Sequence, residues 1–340
     1  MENFTFKFDK NHPLKMVSLF SGIGAFEKAL QRLQIPFYIV RYCEIDKYAS
    51  KAYSLIHNVS ENLNLGDIQS INTNEIPDFD LLTWGFPCTN VSIAGRQEGL
   101  KYRCIKCKQE FLLDEMNGNK CPYCDSINIE SVTQSSLYIE GLKVLLAAKP
   151  KYSIIENVKA LTFKRNKKTL RKILDDLDKA GYNNYWKVLN AKDFGVPQNR
   201  ERIFIVSIRK DIKQNFEFPK PFDNGLRLKD FLDINVDEKY YLKGGYLDWW
   251  LKNKDYQLKK QYSSLDADIA ICLTARQYAS WNGNYIEELD KRTKSIFESL
   301  SIENIKDKDF DVGMLTKRRT EDAKKMRKKY REKYGKDYCP

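Results

Sequence analysis

Histidine is almost missing from this chain of 340 residues, which holds two, His12 and His57. That scarcity argues against a histidine general base or a histidine-rich metal site. Acid–base work is left to carboxylates, cysteines and arginines. Long apolar runs are missing too. No stretch reaches 18 apolar residues, so no membrane-spanning helix is expected, and the opening MENFTFKFDK is too charged for a signal peptide. No internal repeat is visible. A hydrophobic share of 42% excludes a disordered chain and supplies a core for one large or two modest domains. The expectation is a soluble, intracellular protein.

Positive charge is what the chain has in excess: 58 basic against 46 acidic residues, a net +12. That balance favours a polyanionic partner such as nucleic acid. Two-thirds of the excess sits in 317–336, with eleven Lys/Arg and three Asp/Glu. The segment reads either as a solvated helix or as a phosphate-backbone contact without sequence information.

Apolar runs of strand length recur: MVSLF (16–20), PFYIVRYCE, FDLLTWG (79–85), YSIIENV (152–158) and RIFIVSIR (202–209). Helical spacing follows the first two, in SGIGAFEKALQRLQ and KYASKAYSLI. Strands alternating with helices predict parallel βαβ units and an α/β sheet covered on both faces. After about 236 the alternation is lost, and 236–340 is expected to be a second, mostly irregular region ending in the basic helix.

FSGIG (20–24) follows the first strand and opens the first helix. Its glycines let backbone approach a ligand and the helix start supplies N–H donors, although a tight turn accounts for it equally well. Glu44 closes the second strand, where an acid can accept hydrogen bonds from both ribose hydroxyls. Asp67, in LGDI, could hold an adenine amino group. Together the three favour an adenosine cofactor without a pyrophosphate. Cys88 sits in WGFPCTNVSIAG (84–95), just past the third strand and after Pro87. A lone cysteine is more often a small buried hydrophobe. The Pro/Gly/Ser/Thr-rich loop instead suits a presented nucleophile, and VSIAGRQEGL suits a mobile lid. Glu156 and Asn157 end the strand in IIENV, where a carboxylate needs a task or an N-cap network. QNRERIFIV (198–206) sets Arg200 and Arg202 on one strand face, as a functional pair or as edge arginines.

These segments, in this order across about 16–209, resemble the C5-cytosine DNA methyltransferases, of bacterial or phage type. The resemblance implies a Rossmann-like, S-adenosylmethionine-dependent sheet with helices on both faces. It assigns Phe20, Gly22, Ile23 and Gly24 to the S-adenosylmethionine loop. Glu44 with Ile45, Asp67 with Ile68, and Pro87 complete the cofactor contacts. Cys88 matches the nucleophile, Glu156 the acid at N3 of the base, and Arg202 the arginine near O2. Gln198 and Arg200 match supporting positions, and Asn157 orients the segment around the cysteine. The implied substrate is a cytosine flipped out of double-stranded DNA. The implied domains are a catalytic S-adenosylmethionine-binding domain, 1–100 with 133–235, and a partial target-recognition region, 236–340.

The chain departs from the family in two places. Cys104, Cys107, Cys121 and Cys124 form C-x2-C-x13-C-x2-C in an insertion, 101–132, that reads as a zinc ribbon holding a structural Zn2+. Disulfides are disfavoured in the cytosol, where a bacterial or phage-infected cell would hold this protein. The insertion could touch DNA or brace the cysteine loop. The second departure is the lack of the family's usual closing segments. LTARQ (273–277) is only a loose echo of one. A downstream segment or a second polypeptide is expected to complete the cofactor pocket. A tRNA-methylating enzyme with the same core, or a half-enzyme needing a partner, are the alternatives.

Overall fold

The computed structural model describes residues 8–88, 90, 99–233, 236–237, 241–242, 244–273 and 283–286. The chain divides into two compact units, 1–190 with 201–221 and 191–200 with 222–340.

The first unit opens with β1 (Leu14–Leu19), α1 (Ala25–Arg32), β2 (Phe37–Cys43), α2 (Lys47–His57) and β3 (Leu81–Trp84). The insertion contributes β4 (Lys101–Cys104), β5 (Glu110–Leu112) and β6 (Ile129–Ser131). Then come α3 (Tyr138–Ala148), β7 (Tyr152–Val158), α4 (Lys167–Lys179) and β8 (Tyr182–Asn190). After an excursion that contains β9 (Gln198–Asn199), β10 (Glu201–Arg209) completes the sheet.

Six strands lie in the order β2-β1-β3-β7-β10-β8. The first four are parallel, as the βαβ pattern predicts. β10 runs antiparallel to both β7 and β8, which the pattern did not predict. The link between β8 and β10, residues 191–200, is too short for a crossover helix, and antiparallel neighbours need none.

Period-two alternation sorts the strand side chains onto two faces. Leu14 and Met16 of β1 join a cluster with Tyr53 of α2, against which Phe26 and Leu30 of α1 pack. Val17 and Leu19 join the opposite cluster, with Tyr138 and Leu142 of α3 and Leu170 and Ile173 of α4. In β7, Ile154 packs on the first cluster and Ile155 lies in the second. Both faces are therefore covered, and the strands read as near-continuous apolar runs.

Trp84 fixes the end of β3. Its Nε1 donates to Ser153 Oγ over 2.9 Å, and its ring stacks on Tyr138 at 5.6 Å between centroids. α3 comes so close that a Cβ on Gly141 would lie 2.4 Å from the Trp84 ring. The insertion forms a sheet β5-β4-β6, and its Phe111, Leu113 and Met116 belong to the same apolar cluster as Trp84. It shares the main core and has no separate one.

In the second unit, α5 (Gly244–Lys259) occupies a stretch expected to be irregular. Trp250 on it is buried and stacks on Tyr285 at 3.8 Å. β11 (Ser264–Leu265) and β12 (Ala270–Ile271) follow, then β13 (Asn284–Tyr285), which pairs with β11. β9 pairs with β12, which is why 191–200 belongs to this unit. The unit starts at 222, earlier than the composition break near 236. The basic segment 317–336 and residues 274–277 of LTARQ lie outside the described residues. Among the described residues no helix is long and apolar enough to cross a membrane.

Candidate active site

Phe20–Gly24, Glu44, Gly85–Cys88 and Glu156 all lie at the carboxyl ends of parallel strands. β10 runs the other way, so its beginning, with Arg202, lies at that same end. β2 and β3 flank β1 on opposite sides, so the chain changes direction of travel between β1 and β3. Open α/β sheets hold their ligands in the crevice at such a switch point.

The turn after β1 repeats a left-handed backbone, with φ of 54° at Phe20, 55° at Gly22 and 84° at Gly24. Gly22 N–H donates to Glu44 Oε2 over 2.8 Å, while Glu44 Oε1 accepts from Asp46 N–H at 2.8 Å. Asn64 clasps the Glu44 backbone: its Oδ1 accepts from Glu44 N–H at 3.0 Å and its Nδ2 donates to Glu44 O at 2.9 Å. The same Oδ1 accepts from Gly66 N–H at 2.9 Å. The loop bearing Asp67 is thus stitched to the end of β2. Asp67 Oδ1 caps a short helical turn through Gln69 N–H at 3.0 Å. Ile68 buries its side chain in the core, so any ligand contact there falls to its backbone. Ile23 and Ile45 are 57% and 74% exposed, large apolar side chains beside a carboxylate. A Cβ on Gly22 would meet nothing within 4 Å. Open space over the turn, a fixed carboxylate and two uncovered isoleucines fit an adenosine-bearing ligand.

Beneath this turn lies a buried polar group that the sequence reading missed. Tyr53 OH donates to Glu27 Oε1 over 2.7 Å, and Tyr53 stacks on Tyr42 at 4.1 Å. His57 Nε2 donates to Ile23 O at 3.0 Å. A Cβ on Gly24 would lie 2.0 Å from that nitrogen. The available signal was Tyr53 and His57, four apart on one helical face, with the acidic Glu27 on an apolar one.

The other half of the site rests on β3, β7 and β10. Trp84 pairs with Ile155, which brings Gly85 beside Glu156. A Cβ on Gly85 would lie 3.1 Å from Glu156 O and 3.5 Å from Oε2. Asn157 is buried and donates from Nδ2 to Phe86 O at 3.1 Å, so it holds the turn that leads to half-buried Pro87 and Cys88. Arg202 lies opposite Val158, and Phe204 opposite Glu156, so Arg202 and Glu156 form a diagonal pair on one face. Arg202 Nε is 3.0 Å from Glu156 Oε1, with the side chains 19% and 29% exposed. Cys43 is excluded as a competing nucleophile, since burial pushes its thiol up to about 12 and it donates to Gly66 O at 3.1 Å. Residues 91–98, the expected lid, lie outside the described residues.

Arg200 does not share a strand face with Arg202 as expected. The strand breaks at Arg200, whose N–H donates to Gln198 O at 2.9 Å. Its Nη1 approaches Cys272 Sγ at 3.7 Å in the second unit, where Gln198 also pairs with Ala270.

The four insertion cysteines come together. Sγ of Cys104 and Cys124 are 3.6 Å apart, as are those of Cys107 and Cys121, and all four lie within 4.8 Å of one another. A tetrahedral ion with Zn–S bonds of about 2.3 Å spaces its sulfurs about 3.8 Å apart, whereas a disulfide brings them to about 2 Å. The two turns share a backbone feature, though their sulfurs accept from different positions. Cys107 N–H donates to Cys104 Sγ and Tyr123 N–H to Cys121 Sγ, each at 3.4 Å. Lys108 and Asp125, each four residues past the first cysteine of its turn, both adopt positive φ. The Cys107 N–H aimed at Cys104 Sγ favours the thiolate that a metal needs.

The family model described as C-5 cytosine-specific DNA methylase matches residues 14–103 and 128–337. The chain belongs to that family. The break in the match, 104–127, leaves all four insertion cysteines outside the matched region and every residue of the two site halves inside it. The chain is 40% identical over 261 residues to Orphan methyltransferase M.SPBetaI of Bacillus phage SPbeta, covering 67% of this chain and 59% of that protein. It is 32% identical over 293 residues to Type II methyltransferase M.NlaX of Neisseria lactamica, covering 83% and 82%. The chain thus spans little more than half the length of the phage relative. Among solved structures, the Dnmt2 methyltransferase of S. pombe superposes with a TM-score of 0.53 at 21% identity, over 84% of this chain and 80% of that one. That likeness shows the methylase fold.

Proposed function

We propose that this chain is a DNA (cytosine-5)-methyltransferase that acts on a cytosine flipped out of double-stranded DNA. The observation that carries the reading is the meeting, at one end of one sheet, of the Gly22–Glu44 turn, the Cys88 turn and the Glu156–Arg202 pair. C5 of cytosine is too weak a nucleophile unaided. Cys88 attacks C6 as the thiolate, and electron density moves into the ring towards N3. Glu156 donates a proton or hydrogen bond at N3, and Arg202 holds the base through O2, so the charge that develops is offset where it appears. The methyl group that C5 then accepts is what S-adenosylmethionine supplies when bound. Gly22, Gly24, Glu44 and Asp67 are the residues that would hold that cofactor. Loss of the C5 proton and departure of the Cys88 sulfur restore aromaticity.

The reading includes a structural zinc on Cys104, Cys107, Cys121 and Cys124, supported by the sulfur spacing. It also includes a reducing, cytoplasmic setting in a bacterial or phage-infected cell, in keeping with those reduced thiols. Transfer of a labelled methyl group to unmethylated genomic DNA and to unmethylated tRNA is the test. Label on C5 of DNA cytosine, lost in Cys88→Ala, is expected. Label confined to tRNA, or equal transfer by Cys88→Ala, would overturn the reading.

A further inference from the structure

The insertion is tied to the cysteine turn by a short series of hydrogen bonds at the ends of segment 90–99. Asn90 N–H donates to Ser135 Oγ at 3.0 Å, and Gly99 N–H donates to Asn90 O at 2.9 Å. Thr133 Oγ1 donates to Gly99 O at 3.1 Å, and Ser136 Oγ donates to Lys101 O at 2.5 Å. Tyr102 OH donates to Ser136 O at 2.9 Å. Asn90, Thr133, Ser135 and Ser136 are all buried. The two ends are therefore bonded to each other and to the residues that follow the insertion.

β4 continues from that stem, beginning at Lys101 and ending at Cys104, the first of the four cysteines. It is paired on both sides, by β5 and by β6. Those partners are three residues each, too short to hold a sheet by pairing alone, and Tyr102 and Phe111 add packing in the main core. The cysteine cluster joins the two turns at the end of this small sheet: Cys107 and Cys121, 14 residues apart in sequence, bring their sulfurs to 3.6 Å, beside the contact of Tyr123 with Phe111. Charge argues against the other role open to the insertion. Residues 101–132 carry five basic and five acidic side chains, in a chain whose net charge is +12. A DNA arm that binds through phosphates needs a positive excess, and this segment has none.

We infer that the metal held by Cys104, Cys107, Cys121 and Cys124 positions the catalytic loop, clamping its stem at Asn90 and Gly99–Lys101 through β4 and the Thr133–Ser136 hydroxyls. The inference rests on the proposed zinc site and on Cys88 as the nucleophile. The stem sets where Asn90 stands, and Cys88 is two residues before it. Asn157 holds the same turn from the other side, through Phe86. Loss of the metal releases the anchor on the insertion side.

The test is amide hydrogen exchange on the full chain, before and after zinc is stripped with a chelator and counted by metal analysis. One zinc per chain is expected. After removal, amides of Asn90 and Gly99–Lys101 should exchange at least about tenfold faster, while β1 and β2 keep their protection. Affinity for unmethylated genomic DNA at fixed salt should change less than about twofold, because no phosphate contact is lost. A Thr133→Val, Ser136→Ala double variant should speed exchange at the same stem amides while it keeps its zinc. If the purified chain holds no zinc, the metal site itself is overturned. If zinc is present but its removal loosens only 104–127, or unfolds β1 and β2 together with the stem, the clamp alone is overturned. A large drop in DNA affinity on zinc removal would likewise replace the clamp with a DNA-binding role.

Discussion

The turn after β1 is held from below by side chains buried in its own βαβ unit, whereas the turn after β3 is held from both sides by elements distant in sequence. Glu27, Tyr53 and His57 lie within about thirty residues of Gly24, and Tyr53 and His57 donate to groups in that same stretch. The cysteine turn depends on Asn157 of β7 and on Ser135, which follows the insertion. The first arrangement is local in sequence. The second joins segments far apart in sequence, and here it is linked to a segment that the family model skips. The proposed cofactor end of the site is thus self-contained, and the proposed base end is where the fold has been extended.

Five substitutions test that difference. Glu156→Gln should lower methyl transfer about 100- to 10,000-fold while equilibrium binding of S-adenosylmethionine is unchanged. A parallel loss of cofactor binding would show that the two halves act as one. Gly24→Ala forces a side chain into a backbone with φ of 84° and against His57, and should cost about 1–3 kcal/mol of stability and weaken cofactor binding. Adding His57→Ala should return part of that loss, and no recovery would mean that His57 does not set the turn. Gly141→Ala pushes against Trp84 and should lower thermal stability by about 1–3 kcal/mol with cofactor affinity retained. Asn157→Ala removes the bond to Phe86 O and should have the smallest effect on stability, about 1 kcal/mol. Its signature is a fall in kcat with an unchanged KM for the cofactor.

Much of this arrangement was legible in the sequence because both faces of the sheet are buried. That produces unbroken apolar runs such as YSIIENV, whose strand limits the structure reproduces. Polar residues at the ends of those runs stood out, and Glu44, Glu156 and Asn157 lie at the carboxyl ends of β2 and β7. β8 was missed because YNNYWKVLN is an edge strand, half exposed and without an apolar run. α5 was missed because its leucines and aromatics form no clean helical stripe, and its burial depends on partners such as Tyr285. The break at Arg200 was invisible because β9 finds its partner seventy-odd residues later, in a pairing two residues long. His57 was dismissed with its scarcity. Its work is a single bond to a backbone carbonyl, which no side-chain motif announces.

The most direct test is a covalent one. A duplex library with 5-fluorocytosine in place of cytosine offers the thiolate its C6 but has no C5 proton to lose, so an adduct formed during methyl transfer cannot resolve. Incubation of the full chain with this DNA and S-adenosylmethionine, followed by peptide mass mapping, should find the methylated base bonded to Cys88 and to no other cysteine. An adduct on a different residue, or methylated DNA from the natural base with no adduct trapped from the fluorinated one, would contradict the account.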